Sequence, residues 1–546
     1  MPCGRCRSHG ITCTYGRLGL AEPLTSPRLA DSSHSSSSVV SNTEVSSGRK
    51  QGQVSVRFLL ALTRPSSYDA SAAVAADAPE LDTVEIKTGR FSPRLHSADE
   101  YAESDMILLD LDPCSLEYFD YCPPVMAEEA AFDQHHPETP SLEARMREIV
   151  HILSAVPTSK WGCLRGAHNR LSVELAHTVF TVAHLRHFVS GYFHHYYDHL
   201  PIIHKPTFDI HTISLRLLLA MFLLGSLSFA PSDASCSTQR FFDVAEAYIF
   251  EHPIFDQVIS DPDQGNASDD AIETLQAALM LLIVQLSNCD RVVRRRILLQ
   301  KLPCFISAVR TLGLFGYKHR SIASNTHESK WQHFIHEEVR MRLAAHTFMT
   351  DSYTAVFFNR PPQVDVSEML GDRPYREDIF EVKTALDFER LAFPEISEPQ
   401  SYSLSGLSSF LFSGSVPDTL HLVEKHITAA DLLMMVCAIQ SVAMVSKANY
   451  LMPEAATMVV RASDRWKILW DRVKKEEESR CISQRGFVKH AAEFWWLVKM
   501  VAEVAQSGEP VCRYLEPLPS DSMEDLHDFI KKYKTRPGTS EDVHSH

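Results

Sequence analysis

The chain has 546 residues, with 53 lysines and arginines against 69 aspartates and glutamates, which gives a formal net charge of −16 at pH 7. This acidity excludes binding of nucleic acid or anionic membrane over the whole surface, so any such contact must be local. Hydrophobic residues make up 45% of the chain, enough for at least one large core. Only 20 glycines against 29 prolines argue against a glycine-rich nucleotide fold. We therefore predict an all-α protein.

The cysteines and the apolar runs bear on the compartment. Twelve cysteines without a leader-like N-terminus indicate a reducing compartment with free or metal-bound thiols. The longest apolar run, residues 213–230, contains Arg216 and several serines and is interpreted as a buried core helix. A protein that does not enter the membrane is expected.

The first 20 residues carry arginines and no acidic residue, and they contain cysteines in the spacing Cys-x2-Cys-x6-Cys. Two thiolates two residues apart, with a third after six more, can converge on one soft-ligand metal ion, for which zinc is the natural choice. His9 is the nearby candidate for a fourth ligand. The predicted metal ligands are Cys3, Cys6 and Cys13, and the cationic side chains beside them are Arg5, Arg7 and Arg17.

Two segments of unusual composition follow this partial zinc-cluster module of residues 1–20. Residues 21–95 are rich in serine and alanine and predict a disordered linker. Residues 96–144 interleave carboxylates with leucine, tyrosine and phenylalanine. This composition is typical of a segment that folds into a coactivator groove, and equally of a solvated linker that caps the next domain.

Helical periodicity begins after residue 140 and continues nearly to the end. An aromatic stripe over residues 185–200 predicts an amphipathic helix that stops at Pro201. The organisation we predict is a regulatory domain over 145–393, an internal loop over 394–418, a C-terminal helical part over 419–510 and a tail over 511–546. Further helices are predicted at residues 213–230, 239–251, 270–288, 292–312, 331–358, 419–449, 454–478 and 486–506.

Residues 2–15, PCGRCRSHGITCTY, resemble the second half of the fungal zinc binuclear cluster, in which six cysteines hold two zinc ions and a short basic helix enters the DNA major groove. The resemblance implies that Cys3 is a bridging ligand and that Cys6 and Cys13 are terminal ligands. The half with the base-reading residues is not in this sequence, so the remaining arginines are expected to contact phosphates. Either the reading frame starts inside the cluster, which the intact spacing favours, or the protein has lost its DNA reader.

Residues 188–208, FVSGYFHHYYDHLPIIHKPTF, resemble the opening of the fungal-specific transcription factor regulatory domain. Segments 218–227, 275–286, 312–314 and 337–342, together with Asp351 and residues 359–362, resemble its later motifs in the same order. The family usually has glycine where this chain has Asn359, which can also adopt the left-handed conformation that ends a helix. The resemblance covers residues 185–370.

Two further clusters have competing interpretations. His194, His195 and His199 have a spacing that could bind metal, but they are interpreted as ordinary surface or core histidines. The basic group of Arg291 and its neighbours 294–296 is either a nuclear-import patch or, preferably, a solvated helix face.

Together these features predict a nuclear, zinc-dependent, sequence-specific DNA-binding regulator of RNA polymerase II genes, and no enzyme. Its expected partners are double-stranded DNA and transcriptional coactivators, and a second copy of the chain stays open as a partner. The alternative is a helical regulatory or scaffold protein that does not bind DNA and acts through protein or effector contacts.

Overall fold

The structure is a computed structural model that describes residues 54–64, 139–156, 173–228, 238–256, 268–287, 290–319, 326–391, 402–414, 427–479, 484–507 and 512–534. The chain divides into two units, Met1–Gln51 and Gly52–His546. All described residues belong to the second unit.

The described residues form helices joined by short turns, without a β-strand, so the all-α prediction is confirmed. In chain order the α-helices are α1 Arg57–Leu62, α2 Thr139–Ala155, α3 Val173–Val179, α4 Val182–Gly191, α5 Leu215–Ser226, α6 Phe242–Ile249, α7 Asp269–Ser287, α8 Arg291–Arg296, α9 Leu302–Thr311, α10 His327–Phe357, α11 Glu377–Phe380, α12 Ala385–Leu391, α13 Leu404–Phe412, α14 Ala429–Ala448, α15 Met452–Ser479, α16 Ala491–Ser507 and α17 Glu524–Tyr533.

Local sequence explains where several helices begin. Thr181, Ser214 and Thr326 each accept a hydrogen bond from a backbone N–H of the first turn of α4, α5 and α10. Thr428 and Asp431 form a reciprocal capping box at the start of α14. These side chains satisfy donors that have no partner within the helix, which fixes each start at a hydroxyl residue.

The aromatic helix ends as predicted. After α4 the chain continues through one π-helical turn, Tyr192–Tyr196, and a 3-10 turn, Tyr197–His199, before Pro201. Phe208 then returns to the stripe and packs edge-on against Phe193, with ring centroids 5.0 Å apart. The turn after the helix is therefore anchored by the aromatic residues that precede it.

The core contains two long apolar helices, α7 and α14. Both are long and apolar enough to cross a membrane by length and composition, yet 78% and 83% of their most apolar stretches are buried within the fold. Helix α7 packs on α5, and α14 packs on α10, α15 and α16. Trp466 of α15 is fully buried and donates its indole N–H to the Leu432 carbonyl at 2.7 Å. The burial of α7 and α14 is that of core helices in this fold.

Gly225 allows α5 to approach α4 closely. A Cβ atom at this position would lie 1.8 Å from the carbonyl oxygen of Phe188. Because that atom belongs to the backbone of α4, no side-chain rotation could relieve the clash. The glycine thus determines the spacing of these two helices.

The structure differs from the predicted elements in several places, and one of them is α17, which lies within the predicted tail over 511–546. Residues 57–62, inside the linker predicted over 21–95, form helix α1, and the Ser-rich segment predicted as a loop over 394–418 contains α13. The helix predicted at 292–312 is interrupted by a π-helical turn, Ile297–Lys301, just before Pro303. Proline cannot donate to the carbonyl four residues earlier and its ring clashes with that carbonyl, so the turn widens.

The basic group at residues 291–296 is not a uniformly solvated face. Arg294 is 1% exposed, and its guanidinium lies 5.8 Å from the centre of the Phe358 ring. Arg296 bonds the carboxylates of Asp243 at 2.6 Å and Glu246 at 2.7 Å. Arg296 therefore joins α8 to α6 through two carboxylates, and Arg294 is buried beside Phe358, the residue that follows α10.

Candidate functional site

Helix α10 organises the candidate site, and its buried charges come from the segment 337–342. Arg342 is 1% exposed, and each of its three guanidinium nitrogens donates to a protein acceptor. Two of these bonds are ion pairs, with Glu338 at 2.8 Å and with Glu377 at 2.7 Å. Its guanidinium also stacks 4.0 Å above Phe380. Such a pair is tolerated inside a protein only because nearly every donor and acceptor is satisfied.

His319 joins this cluster from the segment that precedes α10. Its Nδ1 lies 3.0 Å from Glu337, and its Nε2 lies 3.6 Å from Glu338. Burial alone would lower the pKa of His319, but the hydrogen bonds and charges of the two glutamates outweigh it and raise the pKa to about 9. The imidazole is therefore protonated at neutral pH and, like Arg342, compensates buried carboxylates.

Asp351 and Asn359, two of the residues that resemble the later motifs of the regulatory domain, hold the segments that follow α10 and the C-terminal segment. Asp351 accepts hydrogen bonds from the backbone N–H groups of Gln363 and Val364 at 2.7 and 2.8 Å. Asn359 has φ = 52°, the left-handed conformation expected for this position. Its side chain also donates to the carbonyls of Glu516 and Leu518, at 2.9 and 3.0 Å. Asn359 thus ends the helix, as glycine would, and its side chain also holds the C-terminal segment, which glycine could not do.

A cavity of about 670 Å³ lies beside α10. Its wall is mostly apolar and aromatic, with contributions from α1, α5, α7, α10 and α14. The apolar wall includes Leu62, Leu224, Leu227, Ile283, Leu286, Met349, Phe357, Leu433 and Phe487. This volume and composition are those of a pocket for a drug-sized organic molecule.

His346 is a polar group in the apolar wall of the cavity that has no hydrogen-bond partner among the described residues. It lies one turn after Arg342 on α10, lines the cavity and remains partly accessible. Burial, reinforced by the Arg342 cation, lowers the pKa of His346 to about 3. No described residue forms a hydrogen bond with its ring. At neutral pH it therefore presents an uncharged imidazole, with one donor and one acceptor nitrogen, next to the cavity.

Charged residues also line the cavity, and carboxylates are in excess. Arg342 is already paired with glutamates, and Arg485 lies 3.3 Å from Glu381 and 3.9 Å from Asp198. Arg376 is bonded to Asp378 at 2.9 Å. The carboxylates in the lining are Asp198, Glu377, Asp378, Glu381 and Glu477, against the guanidinium groups of Arg342, Arg376 and Arg485. The excess of negative charge disfavours an anionic occupant.

Helix α1 forms part of the same wall, although it is distant in sequence. Glu493 of α16 accepts hydrogen bonds from the backbone N–H groups of Phe58 and Leu59, at 3.4 and 3.0 Å, which caps the N-terminus of α1. The Phe58 ring stacks on His490 with centroids 3.7 Å apart. Leu62, in the last turn, is 5% exposed and lines the cavity. Any occupant on that side would touch the segment that leads to the N-terminal cysteines.

The predicted zinc ligands Cys3, Cys6 and Cys13 and the predicted DNA contacts Arg5, Arg7 and Arg17 lie outside the described residues, as does most of the acidic segment 96–144. Within the described part of the chain, no group of three or more histidine, cysteine or acidic side chains could hold a metal ion. The ring of His194 lies edge-on to that of His195, with centroids 4.6 Å apart, whereas His199 packs on Phe487.

The sequence did not single out His346, Leu62 or Glu493. The one available signal for His346 was its position four residues after Arg342 on a predicted helix, which places both on one face. Leu62 gave no signal, because a short apolar stretch within a serine-rich segment does not show what it packs against.

The matches with known proteins lie in the helical body. A sequence model described as the fungal specific transcription factor domain matches residues 189–448, a range that includes α10, the Arg342 cluster and much of the cavity wall. The match supports a fungal transcription factor regulatory domain over these residues.

Among curated proteins, transcription factor verF of Penicillium polonicum is similar to this chain, with 22% identity over 397 residues. The similar region covers 65% of this chain and 54% of that protein, so the chain spans about half the length of the curated relative it matches. No solved structure matches the chain. These matches support a fungal transcription regulator.

Proposed function

We propose that this protein is a nuclear transcription regulator of RNA polymerase II genes that binds DNA through a zinc-dependent N-terminal module, and that it is not an enzyme. The observation that carries the proposal is the order of its parts. A half zinc-cluster motif precedes a helical body whose residues 189–448 match the fungal specific transcription factor domain. The similarity to a relative named as a transcription factor adds support.

Occupancy of chromatin tests this proposal directly. The tagged full chain should be enriched at discrete promoters in its host cell, and its deletion should change transcription of the same genes. A matched variant with Cys3, Cys6 and Cys13 replaced by serine should lose that enrichment. Uniform background occupancy by the unmodified chain would refute DNA binding.

Zinc binding at the N-terminus is the second part of the proposal. The purified full chain should take up Co²⁺ with thiolate charge-transfer absorption, and the Cys3, Cys6 and Cys13 serine variant should not. A Cys304 and Cys512 serine variant is the matched control, because these half-buried cysteines belong to the helical body. Equal absorption by the two variants would exclude the proposed ligand set.

We further propose that Arg5, Arg7 and Arg17 contact phosphates. Log affinity for DNA falls linearly with log salt concentration, and replacing each arginine with glutamine should make this negative slope less steep by about one unit. The sequence preference should stay unchanged. A change in the preferred base would instead assign that arginine to base reading.

The acidic segment 96–144 is proposed to bind coactivators. In the full chain, replacing Leu108, Leu111 and Phe119 with alanine should reduce reporter activation more than replacing Asp105, Asp110 and Asp112 with asparagine. The apolar anchors supply affinity, whereas the charges mainly accelerate encounter. Equal loss in the two variants would refute this assignment of roles.

The cavity supports a second candidate function, a regulatory protein that acts through effector or protein contacts without binding DNA. This candidate would be favoured if deletion of the gene changed transcription while the tagged full chain occupied no chromatin site.

A further inference from the structure

We propose that the cavity beside α10 is a binding site for an uncharged, largely apolar organic molecule whose hydroxyl or carbonyl group bonds to His346, and that its occupant stabilises the docking of α1 through Leu62. The first support is the cavity itself. Its volume of about 670 Å³ and its predominantly apolar wall fit a drug-sized molecule.

The polar feature of the ligand follows from His346. The partly accessible imidazole of His346 has no hydrogen-bond partner among the described residues, so a ligand in the cavity that supplies one gains a hydrogen bond in mostly apolar surroundings. Because the ring is neutral, it can accept a bond from a hydroxyl group or donate one to a carbonyl group. Arg342 does not offer a competing cationic subsite, since all three of its nitrogens already donate within the protein.

The charge of the ligand follows from the lining. The five carboxylates exceed the three guanidinium groups, which are themselves paired with carboxylates. An anion would therefore meet net repulsion. The same excess argues against the chain's own acidic segment 96–144 as the occupant, although that segment is rich in apolar residues.

The link to α1 follows from the wall. Leu62 contributes to the lining, while the N-terminus of its helix is held by Glu493 and Phe58 stacks on His490. A ligand that packs against Leu62 adds contacts to the docked position of α1 alone. The two equilibria are then coupled: the factor by which bound ligand increases the equilibrium constant for α1 docking equals the factor by which docked α1 increases the affinity for the ligand.

The binding test uses the purified full chain and the uncharged fluorescent probe N-phenyl-1-naphthylamine. We expect a saturable increase in probe fluorescence. Thr350→Trp, which places a large side chain on the cavity wall, should lower the affinity for the probe at least tenfold. Thr457→Trp on the exposed face of α15 is the matched control and should bind as the unmodified chain does. Absent binding, or equal binding by the two variants, overturns the proposal. Binding that emerges only after deletion of residues 96–138 assigns the cavity to the acidic segment and also overturns it.

The ligand class is tested by displacing the probe with three naphthalene compounds. 1-Naphthalenemethanol should bind roughly threefold to tenfold more tightly than 1-methylnaphthalene, the usual range for one hydrogen bond, and also more tightly than 1-naphthoate. His346→Leu should abolish the preference for the alcohol, whereas His151→Leu, at an exposed site of α2, should retain it. A preference that survives His346→Leu, or tighter binding of the naphthoate, overturns the assigned chemistry.

The coupling to α1 is tested by hydrogen exchange. Saturating probe should slow exchange in residues 54–64 of the full chain, and Leu62→Ala should weaken that effect. Unchanged exchange in this segment would show that α1 is not linked to the cavity. None of these readouts uses DNA or transcription, so failure of this proposal is distinguishable from failure of the proposed regulatory function.

Discussion

Replacing Arg342 with methionine should strongly destabilise the helical body. Methionine retains most of the apolar stem above Phe380 but leaves Glu338, which is fully buried, without its 2.8 Å ion pair. Loss of one partner of a buried pair typically costs about 3–5 kcal/mol. Glu338 keeps the Tyr375 backbone N–H at 2.9 Å and His319 at 3.6 Å. We therefore expect a loss near the lower end, about 3 kcal/mol.

The assay is urea denaturation of the full chain, followed in parallel by tryptophan fluorescence and far-UV circular dichroism, whose transitions must coincide for a free energy to be assigned. Arg513→Met is the matched control, because the Arg513 side chain is 80% exposed and its ion pair with Asp525 is 3.4 Å long. That variant should lose at most about 1 kcal/mol.

A double-mutant cycle separates the ion pair from packing. The double variant Arg342→Met/Glu338→Gln should lose far less stability than the sum of the losses of the two single variants, because the unpaired carboxylate is then removed. The reasoning would be refuted by additive losses, or by an Arg342→Met variant within 1 kcal/mol of the Arg513→Met control.

Three further predictions test other contacts. The pKa of His319 is raised from 6.5 to about 9, so its stabilising contribution is complete below pH 6.5 and is lost as the pH rises through 9. His319→Gln should remove that part of the dependence of the unfolding free energy on pH, measured by urea denaturation. An unchanged pH dependence would contradict the assignment. Gly225→Ala should reduce the melting temperature markedly, whereas Gly316→Ala, where a Cβ meets nothing within 4 Å, should change it little; similar melting temperatures would argue against a backbone contact. Asn359→Ala should lose about 2–3 kcal/mol of unfolding free energy in urea denaturation, since it removes two hydrogen bonds at a left-handed position. Asn359→Gly should lose less, because glycine adopts the left-handed conformation without strain. The reverse order would show that backbone conformation is unimportant here.

Much of the helical architecture could be read from local pattern. The predicted helices at 270–288, 331–358 and 454–478 correspond to α7, α10 and α15 within a few residues. The apolar periodicity that predicts these helices repeats every three to four residues, so the information is contiguous in the sequence. The left-handed Asn359 and the return of Phe208 to Phe193 were predictable for the same reason.

Local pattern failed where a distant partner decides the conformation. The short helix α1 is too short to be stable alone, and it is held by Glu493, more than 400 residues away in sequence. Likewise, the basic group at 291–296 has the composition of a solvated face, but Asp243 and Glu246 of another helix draw Arg296 into the fold.

The sequence by itself determined the helical class, the order of the regulatory-domain motifs and the cysteine spacing, because each depends on residues that are neighbours along the chain. Only the tertiary structure decided that Arg342 is neutralised by Glu338 and Glu377, that His346 lines a cavity, and that Leu62 closes one part of its wall. A cavity is the space left between helices from separate parts of the chain. Its volume, charge and unsatisfied groups depend on how those helices pack, and no single stretch of sequence contains that information.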